Sequence, residues 1–92
     1  MEDCGMMELL DFYADWCGPC RMLKPIMAEF EEAHPEITVR RVNIDEEREL
    51  AEEYGISTIP CLVVVKDGKE VVREVGVMPL KKIEKMWEKA NG

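Results

Sequence analysis

Features that would assign the chain to several common protein classes are missing from its 92 residues. No apolar run approaches the length of about 18 residues that a membrane span requires, and no basic segment precedes an apolar stretch as in a secretory signal. We therefore expect a cytoplasmic protein that contacts no membrane.

No internal repeat, low-complexity tract or linker divides the sequence. Residues 1–92 are expected to form a single domain, and 47% apolar residues suffice for its core.

Basic side chains are also scarce. Twelve lysines and arginines stand against twenty acidic residues, which gives a net charge of −8. Such a surface repels a phosphate backbone, so the sequence predicts no nucleic-acid partner. Many of the acidic residues lie in segments with helical periodicity, among them Glu29, Glu31 and Glu32, and we interpret these side chains as solvated helix faces.

The sequence lacks the second close pair of cysteines or histidines that a zinc site requires. Cys17 and Cys20 have the C-x-x-C spacing, which by itself fits either half of a zinc site or a redox pair. The other candidates, Cys4, His34 and Cys61, are isolated in the sequence. We therefore predict redox chemistry, with no metal and no bound cofactor.

The segment Trp16-Cys17-Gly18-Pro19-Cys20 stands between a short apolar run and a segment with helical periodicity. Cysteines at positions i and i+3 of a first helical turn lie on one face, close enough for a disulfide. Pro19 suits that turn because it has no N–H that would need a partner. Free N–H groups at a helix start favour a thiolate, which predicts Cys17 as the nucleophile and Cys20 as the resolving thiol.

One carboxylate, Asp11, interrupts the apolar run Glu8–Ala14, which is predicted to be a strand inside a sheet. Burial penalises the ionised form, so we expect the pKa of Asp11 to be raised. We interpret Asp11 as the general base that takes the Cys20 proton, directly or through a water, when a mixed disulfide is resolved. A hydrogen-bonded structural aspartate is the alternative.

Hydrophobic periodicity and turn residues predict the order β-α-β-α-β-β-α, an α/β fold with a four-stranded mixed sheet flanked by helices. Met22 and Met27 are expected to fill the core, and Asp45 is expected to cap the second helix. The hairpin signal Asp67-Gly68 joins the last two strands. After the first strand, the predicted elements are a helix over 18–33, a strand over Ile37–Asn43, a helix over 46–54, strands over Cys61–Lys66 and Glu70–Val75, and a helix that begins at Pro79.

The motif Trp-Cys-Gly-Pro-Cys at residues 16–20 resembles the active-site sequence of the thioredoxin family, and the resemblance covers nearly the whole chain. It implies the thioredoxin fold and thiol-disulfide exchange. The family's extra N-terminal strand and helix are expected to be absent, which predicts a minimal fold with the second strand at a sheet edge and a monomer or weak dimer. Further matching pieces are Asp11-Phe12, Pro25, Val42 to Asp45, Tyr54 to Ile56, Thr58 to Pro60, Asp67-Gly68 and Val75-Gly76.

The resemblance also assigns residues to a substrate site. It implies a cis peptide bond between Ile59 and Pro60 that faces the dithiol and offers backbone groups to an extended substrate segment. Arg41 stands where the family usually has a lysine near the buried acid, and a guanidinium is not an equivalent point charge. The docking surface is expected to be completed by Trp16, Gly18, Pro19 and Gly76.

Two cysteines lie outside the motif. Cys61 follows Pro60 directly, where it could be a third redox thiol, a site of regulatory modification or a small buried strand residue, and we favour the last. Cys4 lies before the first strand, at the end away from the motif, so pairing with Cys17 or Cys20 is not expected. It is free or links two chains.

The leading hypothesis is a thioredoxin-type protein disulfide reductase that cycles between a Cys17/Cys20 dithiol and disulfide. Its partners would be disulfide-containing proteins and a separate reductase that regenerates the dithiol. One alternative is a glutaredoxin-like thiol-transferase, in which Arg21, Lys24 and Arg41 could bind the carboxylates of glutathione. Another is a non-catalytic module in which the cysteine pair holds zinc or an iron–sulfur cluster.

Overall fold

A computed structural model describes residues 6–92, and its elements follow the predicted order β-α-β-α-β-β-α. Four strands form one sheet, and three helices flank it. The predicted α/β architecture is confirmed. The elements are β1 (Met7–Tyr13), α1 (Gly18–Ala33), β2 (Thr38–Asn43), α2 (Arg48–Glu53), β3 (Cys61–Lys66), β4 (Lys69–Val75) and α3 (Leu80–Asn91).

The strand order across the sheet is β2-β1-β3-β4. Strand β1 is parallel to β2 and antiparallel to β3, and β3 is antiparallel to β4. The interior position predicted for the first strand is therefore confirmed. Within residues 6–92, β2 forms one edge of the sheet, as expected.

The two faces of the sheet bury different clusters, because successive side chains of a strand point to opposite faces. On the face that α1 and α3 cover, Leu9 packs with Leu23, Phe30 and Ile83, all at most 1% exposed. On the opposite face, Leu10 and Phe12 pack with side chains from β2, β3 and the α2 region. We call these the α1 face and the α2 face.

A tight turn joins β3 to β4. Asp67 and Gly68 have φ values of 54° and 81°, in the left-handed region that a two-residue hairpin turn of this kind requires. Glycine meets that requirement without steric cost, and aspartate tolerates it better than most residues do. The predicted hairpin is confirmed.

The start of α2 differs from the prediction. The helix begins at Arg48, and Glu47 at its N-cap makes no side-chain capping bond, so the predicted cap at Asp45 is wrong. The Asp45 carboxylate instead accepts a hydrogen bond from the indole Nε1 of Trp16, at 2.9 Å. The Asp45 backbone N–H donates to the side chain of Asn43, also at 2.9 Å, and so belongs to a turn that ends before the helix.

The expectation that Met22 fills the core is also wrong, since Met22 is 66% exposed. The buried positions of α1 are Cys20, Leu23, Met27 and Phe30, which recur every three or four residues and form one stripe. Met22 lies next to Leu23 in sequence and therefore points about 100° away from it. Met27, which lies on the stripe, is buried as predicted.

Two further expectations from the sequence concern Cys4 and the absence of a membrane span. Cys4, expected to be free or to link two chains, lies outside the described residues. Among the helices of residues 6–92, none combines the length and apolar character needed to cross a bilayer.

The end of α1 is joined to α3 by His34, whose Nε2 lies 2.7 Å from Oε2 of Glu84. This hydrogen bond raises the pKa of His34 above 6.5. A raised pKa in the folded state adds stability that is complete below the unfolded value and is lost as pH rises through the folded value.

We predict that His34→Gln lowers the free energy of unfolding more at pH 6 than at pH 9 in urea titrations. Glu84→Gln should remove most of this pH dependence, and Glu36→Gln, whose contact with His34 is 3.6 Å, should remove less. An equal loss for His34→Gln at both pH values would contradict the prediction.

Candidate functional site

The two motif cysteines form a disulfide at the start of α1. Their Cα atoms are 5.2 Å apart, as expected for cysteines at i and i+3 of a first turn. Cys17 is the N-cap, and its sulfur accepts a hydrogen bond of 3.1 Å from the backbone N–H of Cys20. Pro19 lies in the first turn, where it leaves no donor without a partner. The arrangement points a backbone donor and the positive end of the helix dipole at the Cys17 sulfur.

The disulfide-bonded cysteine pair contacts the end of β1 and the loop before β3. The N–H of Cys17 donates to the carbonyl of Ala14 at 3.2 Å. The Cys17 sulfur lies 3.9 Å from the carbonyl oxygen of Ile59. The Ile59–Pro60 bond is cis, as the resemblance implied. These contacts bring the backbone carbonyl of Ile59 beside the sulfur that is expected to react first.

The other predicted docking residues surround this segment. Gly76 donates a backbone hydrogen bond of 2.8 Å to the carbonyl of Pro60, with a φ of 98° that disfavours residues with a side chain. Trp16 is 66% exposed even though its indole is held by Asp45. Gly18 and Pro19 are also exposed, whereas Pro60 is buried. An exposed indole, a bare helix start and an open glycine position therefore lie around the cysteines.

Asp11 is buried on the α1 face, with 6% of its surface exposed. Its Oδ1 has no hydrogen-bond partner among the described residues. Burial raises the pKa of Asp11 from 3.8 to about 6, while the charge of Arg41 opposes the rise and that of Glu31 adds to it. Desolvation dominates because an ionised carboxylate is poorly solvated inside the fold. The expected raised pKa is confirmed.

A cavity of about 250 Å³ joins Asp11 to the resolving cysteine. A volume of this size and polarity has room for several water molecules. A proton could thus travel between Cys20 and Asp11 along water inside this cavity. Its lining consists of Asp11, Tyr13, Ala14, Asp15, Cys20, Arg21, Lys24 and Arg41.

Two ion or hydrogen-bond pairs near the site were not expected from the sequence. Glu31 was interpreted as a solvated side chain, yet its Oε2 accepts a hydrogen bond of 2.8 Å from Nη2 of Arg41. The bond between Trp16 and Asp45 joins residues 29 positions apart. No local pattern indicates such contacts. The family resemblance had placed Arg41 near Asp11, and the parallel register of β1 and β2 pairs the two residues.

Cys61 lies on the α2 face, opposite Phe12 in the antiparallel ladder, and is 1% exposed. Burial raises the pKa of the Cys61 thiol and so disfavours the reactive thiolate. Cys61 packs with Leu10, Val42 and Val63, whereas Cys17 and Cys20 belong to a separate cluster with Ala14. This environment fits the small buried strand residue that we favoured.

Among residues 6–92, no three His, Cys, Asp or Glu side chains converge in a group that could hold a metal ion. The described part of the site offers a pair of sulfurs, one buried carboxylate and the backbone carbonyl of Ile59. These are the groups that thiol-disulfide exchange uses.

Comparison with known proteins assigns the family. The family model described as Thioredoxin matches residues 4–89. The chain belongs to the thioredoxin family. A thioredoxin from Chlamydia pneumoniae is 51% identical over 71 residues, which cover 77% of this chain and 70% of that protein.

Solved thioredoxin structures share the fold. Fasciola hepatica thioredoxin superposes with a TM-score of 0.82 at 35% identity, covering 89% of this chain and 79% of the other. A mutant thioredoxin from Halobacterium salinarum gives 0.83 at 36% identity, covering 94% and 75%. With its disulfide-bonded cysteine pair, this member of the family is a thiol-disulfide oxidoreductase that reduces protein disulfides.

The burial of Asp11 predicts that the native carboxylate lowers stability at neutral and alkaline pH. Its folded pKa of about 6 exceeds the model-compound value of 3.8. The stability contribution of Asp11 is therefore complete below pH 3.8 and is lost as pH rises through about 6. We predict that Asp11→Asn raises the unfolding free energy of the oxidised protein at pH 8, by at most about 3 kcal/mol.

The gain from Asp11→Asn should disappear near pH 4, measured by denaturant titration at both pH values. Asp15→Asn is the matched control, since Asp15 lines the same cavity but is exposed. Its stability change should be small, because the exposed side chain is solvated in both the folded and the unfolded protein. A destabilised Asp11→Asn protein at pH 8 would contradict the prediction.

Proposed function

We propose that Cys17 is the nucleophile and Cys20 the resolving thiol of this protein disulfide reductase. In the first step, the Cys17 thiolate attacks a substrate disulfide, a Cys17–substrate bond forms, and one substrate sulfur leaves as a thiolate. In the second step, Cys20 loses its proton and its sulfur attacks Cys17. The second substrate sulfur is released, the substrate has gained two electrons, and the Cys17–Cys20 disulfide remains.

This assignment of order is supported by the different surroundings of the two sulfurs. Cys17 is the N-cap of α1 and receives the N–H of Cys20, so a negative charge on its sulfur is stabilised. Cys20 lies inside the first turn and lines the cavity that contains Asp11. A sulfur that must lose a proton late in the reaction thus shares a cavity with a group that can accept one.

Asp11 is proposed as the proton acceptor for Cys20, directly or through a water in the cavity. The observation that carries this proposal is the buried Oδ1 without a hydrogen-bond partner, on a residue that lines the same cavity as Cys20. A pKa of about 6 leaves Asp11 mostly ionised at pH 7 and makes it a better base than an ordinary aspartate. A purely structural aspartate would be expected to have its oxygens satisfied by donors.

The docking surface is proposed to consist of the residues around the cis peptide bond and the helix start. The backbone of Ile59 lies beside the Cys17 sulfur and is suited to pair with an extended substrate segment. Backbone pairing selects few side chains, which agrees with a reductase for many proteins. Trp16 supplies an apolar surface, and Gly18, Pro19 and Gly76 leave room for the approaching chain.

A catalytic cycle also needs a source of electrons, because each turnover leaves the protein oxidised. A separate reductase is the proposed partner, and disulfide-containing proteins are the proposed substrates. We further propose that residues 1–92 act as one cytoplasmic domain, as a monomer or weak dimer, without contact to nucleic acid or membrane. Cys61 is proposed to act in packing rather than in the exchange.

Single-turnover reduction of insulin by the reduced protein tests these roles. Cys20→Ser should stop at a covalent Cys17–substrate adduct that mass spectrometry detects, and Cys17→Ser should form none. Asp11→Asn should form the adduct at the wild-type rate but resolve it about 100-fold more slowly at pH 8. The wild-type resolution rate should fall as pH decreases through about 6, the pKa of Asp11. An adduct on Cys20, or an unchanged resolution profile in Asp11→Asn, would refute the corresponding role.

The same preparation separates the alternative functions. A glutaredoxin-like thiol-transferase would be reduced by glutathione faster than by a thioredoxin-type reductase. A metal or cluster module would contain stoichiometric zinc or iron when freshly purified. Either result would replace the proposed function.

A further inference from the structure

Arg41 on β2 lies directly beside Asp11 on the neighbouring strand β1. The two residues are partners in the parallel register of β1 and β2, so their side chains leave the sheet on the same face. Both line the cavity that reaches Cys20. A guanidinium in register with a buried carboxylate would be expected to pair with it, since such pairs form strong charge-assisted hydrogen bonds.

The structure shows a different pairing. Nη2 of Arg41 donates to Oε2 of Glu31 at 2.8 Å, while Oδ1 of Asp11 has no hydrogen-bond partner within the described residues. Glu31 lies on α1, above the edge strand that carries Arg41. The side chains of Arg41 and Glu31 are 37% and 40% exposed, so this ion pair lies at the solvent side of the cavity.

An ion pair this exposed contributes little to stability, typically between 0 and about 1 kcal/mol. Its position gives it another consequence. Glu31 competes with Asp11 for Arg41, which is the partner of Asp11 in the register of β1 and β2. When Arg41 is bound to Glu31, the ionised form of Asp11 loses a partner, and its affinity for a proton rises.

We propose that Glu31 is a positioning residue for the resolving step: by holding Arg41 at the solvent side of the cavity, it sets how readily Asp11 accepts the proton of Cys20. The proposal rests on the proposed role of Asp11 as the proton acceptor. It agrees with the opposite effects on the pKa of Asp11, which Arg41 lowers and Glu31 raises. The ion pair between Arg41 and Glu31 would thus help to set the pH range in which Asp11 accepts the proton of Cys20 in the resolving step.

Other charged groups also face the cavity, and none makes the same pair. The helix contributes Arg21, whose Nη1 donates to the backbone carbonyl of Asp15 at 2.8 Å. From β3, the neighbour of Asp11 is the apolar Leu62. The titratable and charged side chains that line the cavity besides Asp11 and Arg41 are Tyr13, Asp15, Cys20, Arg21 and Lys24.

The chain contains a matched control for the ion pair. Arg40, next to Arg41 on β2, bonds Glu47 at the same distance of 2.8 Å, but it leaves the sheet on the α2 face. Glu47→Gln therefore makes the same change in charge and removes the same kind of pair without altering the cavity. Comparison of Glu31→Gln with Glu47→Gln isolates the effect of position.

The first measurement is the titration of the Asp11 carboxyl in the oxidised protein, followed by carbon-13 NMR. Glu31→Gln should move its midpoint to lower pH by about one unit, since a charge is lost and a guanidinium is released. Glu31→Ala should give at least that shift, because alanine cannot hold Arg41 by a residual hydrogen bond. In an Arg41→Gln background, Glu31→Gln should shift the midpoint by less than half as much. Glu47→Gln should leave it unchanged.

The second measurement is the pH dependence of adduct resolution in the same variants. Its midpoint should move with the Asp11 titration. An Asp11 midpoint that is unchanged in both Glu31 variants, or equally shifted in Glu47→Gln, would overturn the inference about Glu31. A shifted Asp11 titration with an unshifted resolution profile would instead leave the control by Glu31 standing and overturn the proposed role of Asp11.

Discussion

The backbone N–H of Cys20 points at the sulfur of Cys17, and the organisation of the site depends on this contact. It exists because α1 begins at Gly18, so that Cys17 takes the N-cap position usually held by an oxygen-bearing side chain. A sulfur in this position also accepts hydrogen bonds from the backbone N–H groups of the first turn, which no helical carbonyl can satisfy. Capping and chemical activation are therefore the same interaction.

The sheet supplies the second constraint, which is a buried carboxylate on the face that α1 covers. Strand β1 is interior, so Asp11 is covered by α1 and flanked by β2 and β3. The fold thereby keeps a carboxylate in an environment that disfavours its charge, at a cost in stability. Such a cost is typical of functional sites, because a base with an ordinary pKa would bind a proton too weakly to help.

The parts of this picture that depend on neighbours in sequence could be predicted from the sequence, and those that depend on distant residues could not. The helix start at the cysteine pair, the interior first strand and the Asp67-Gly68 hairpin follow from local patterns, and all three agree with the structure. The predicted cap of α2 at Asp45 was wrong. The Asp45 carboxylate instead accepts a hydrogen bond from the indole of Trp16, which lies 29 residues away in the sequence. The cis bond before Pro60 was accessible only through the family resemblance. Glu31 appeared as one of many acidic residues until the position of Arg41 was known.

The helix start is expected to change the acidity of the Cys17 sulfur and not merely its position. The most direct test is the rate of alkylation of Cys17 by iodoacetamide in the fully reduced protein, followed over pH 4–10 by mass spectrometry. The rate should reach half of its maximum about one pH unit or more below the value of about 8.5 for a free cysteine. A half-maximal rate at the free-cysteine value would contradict the account.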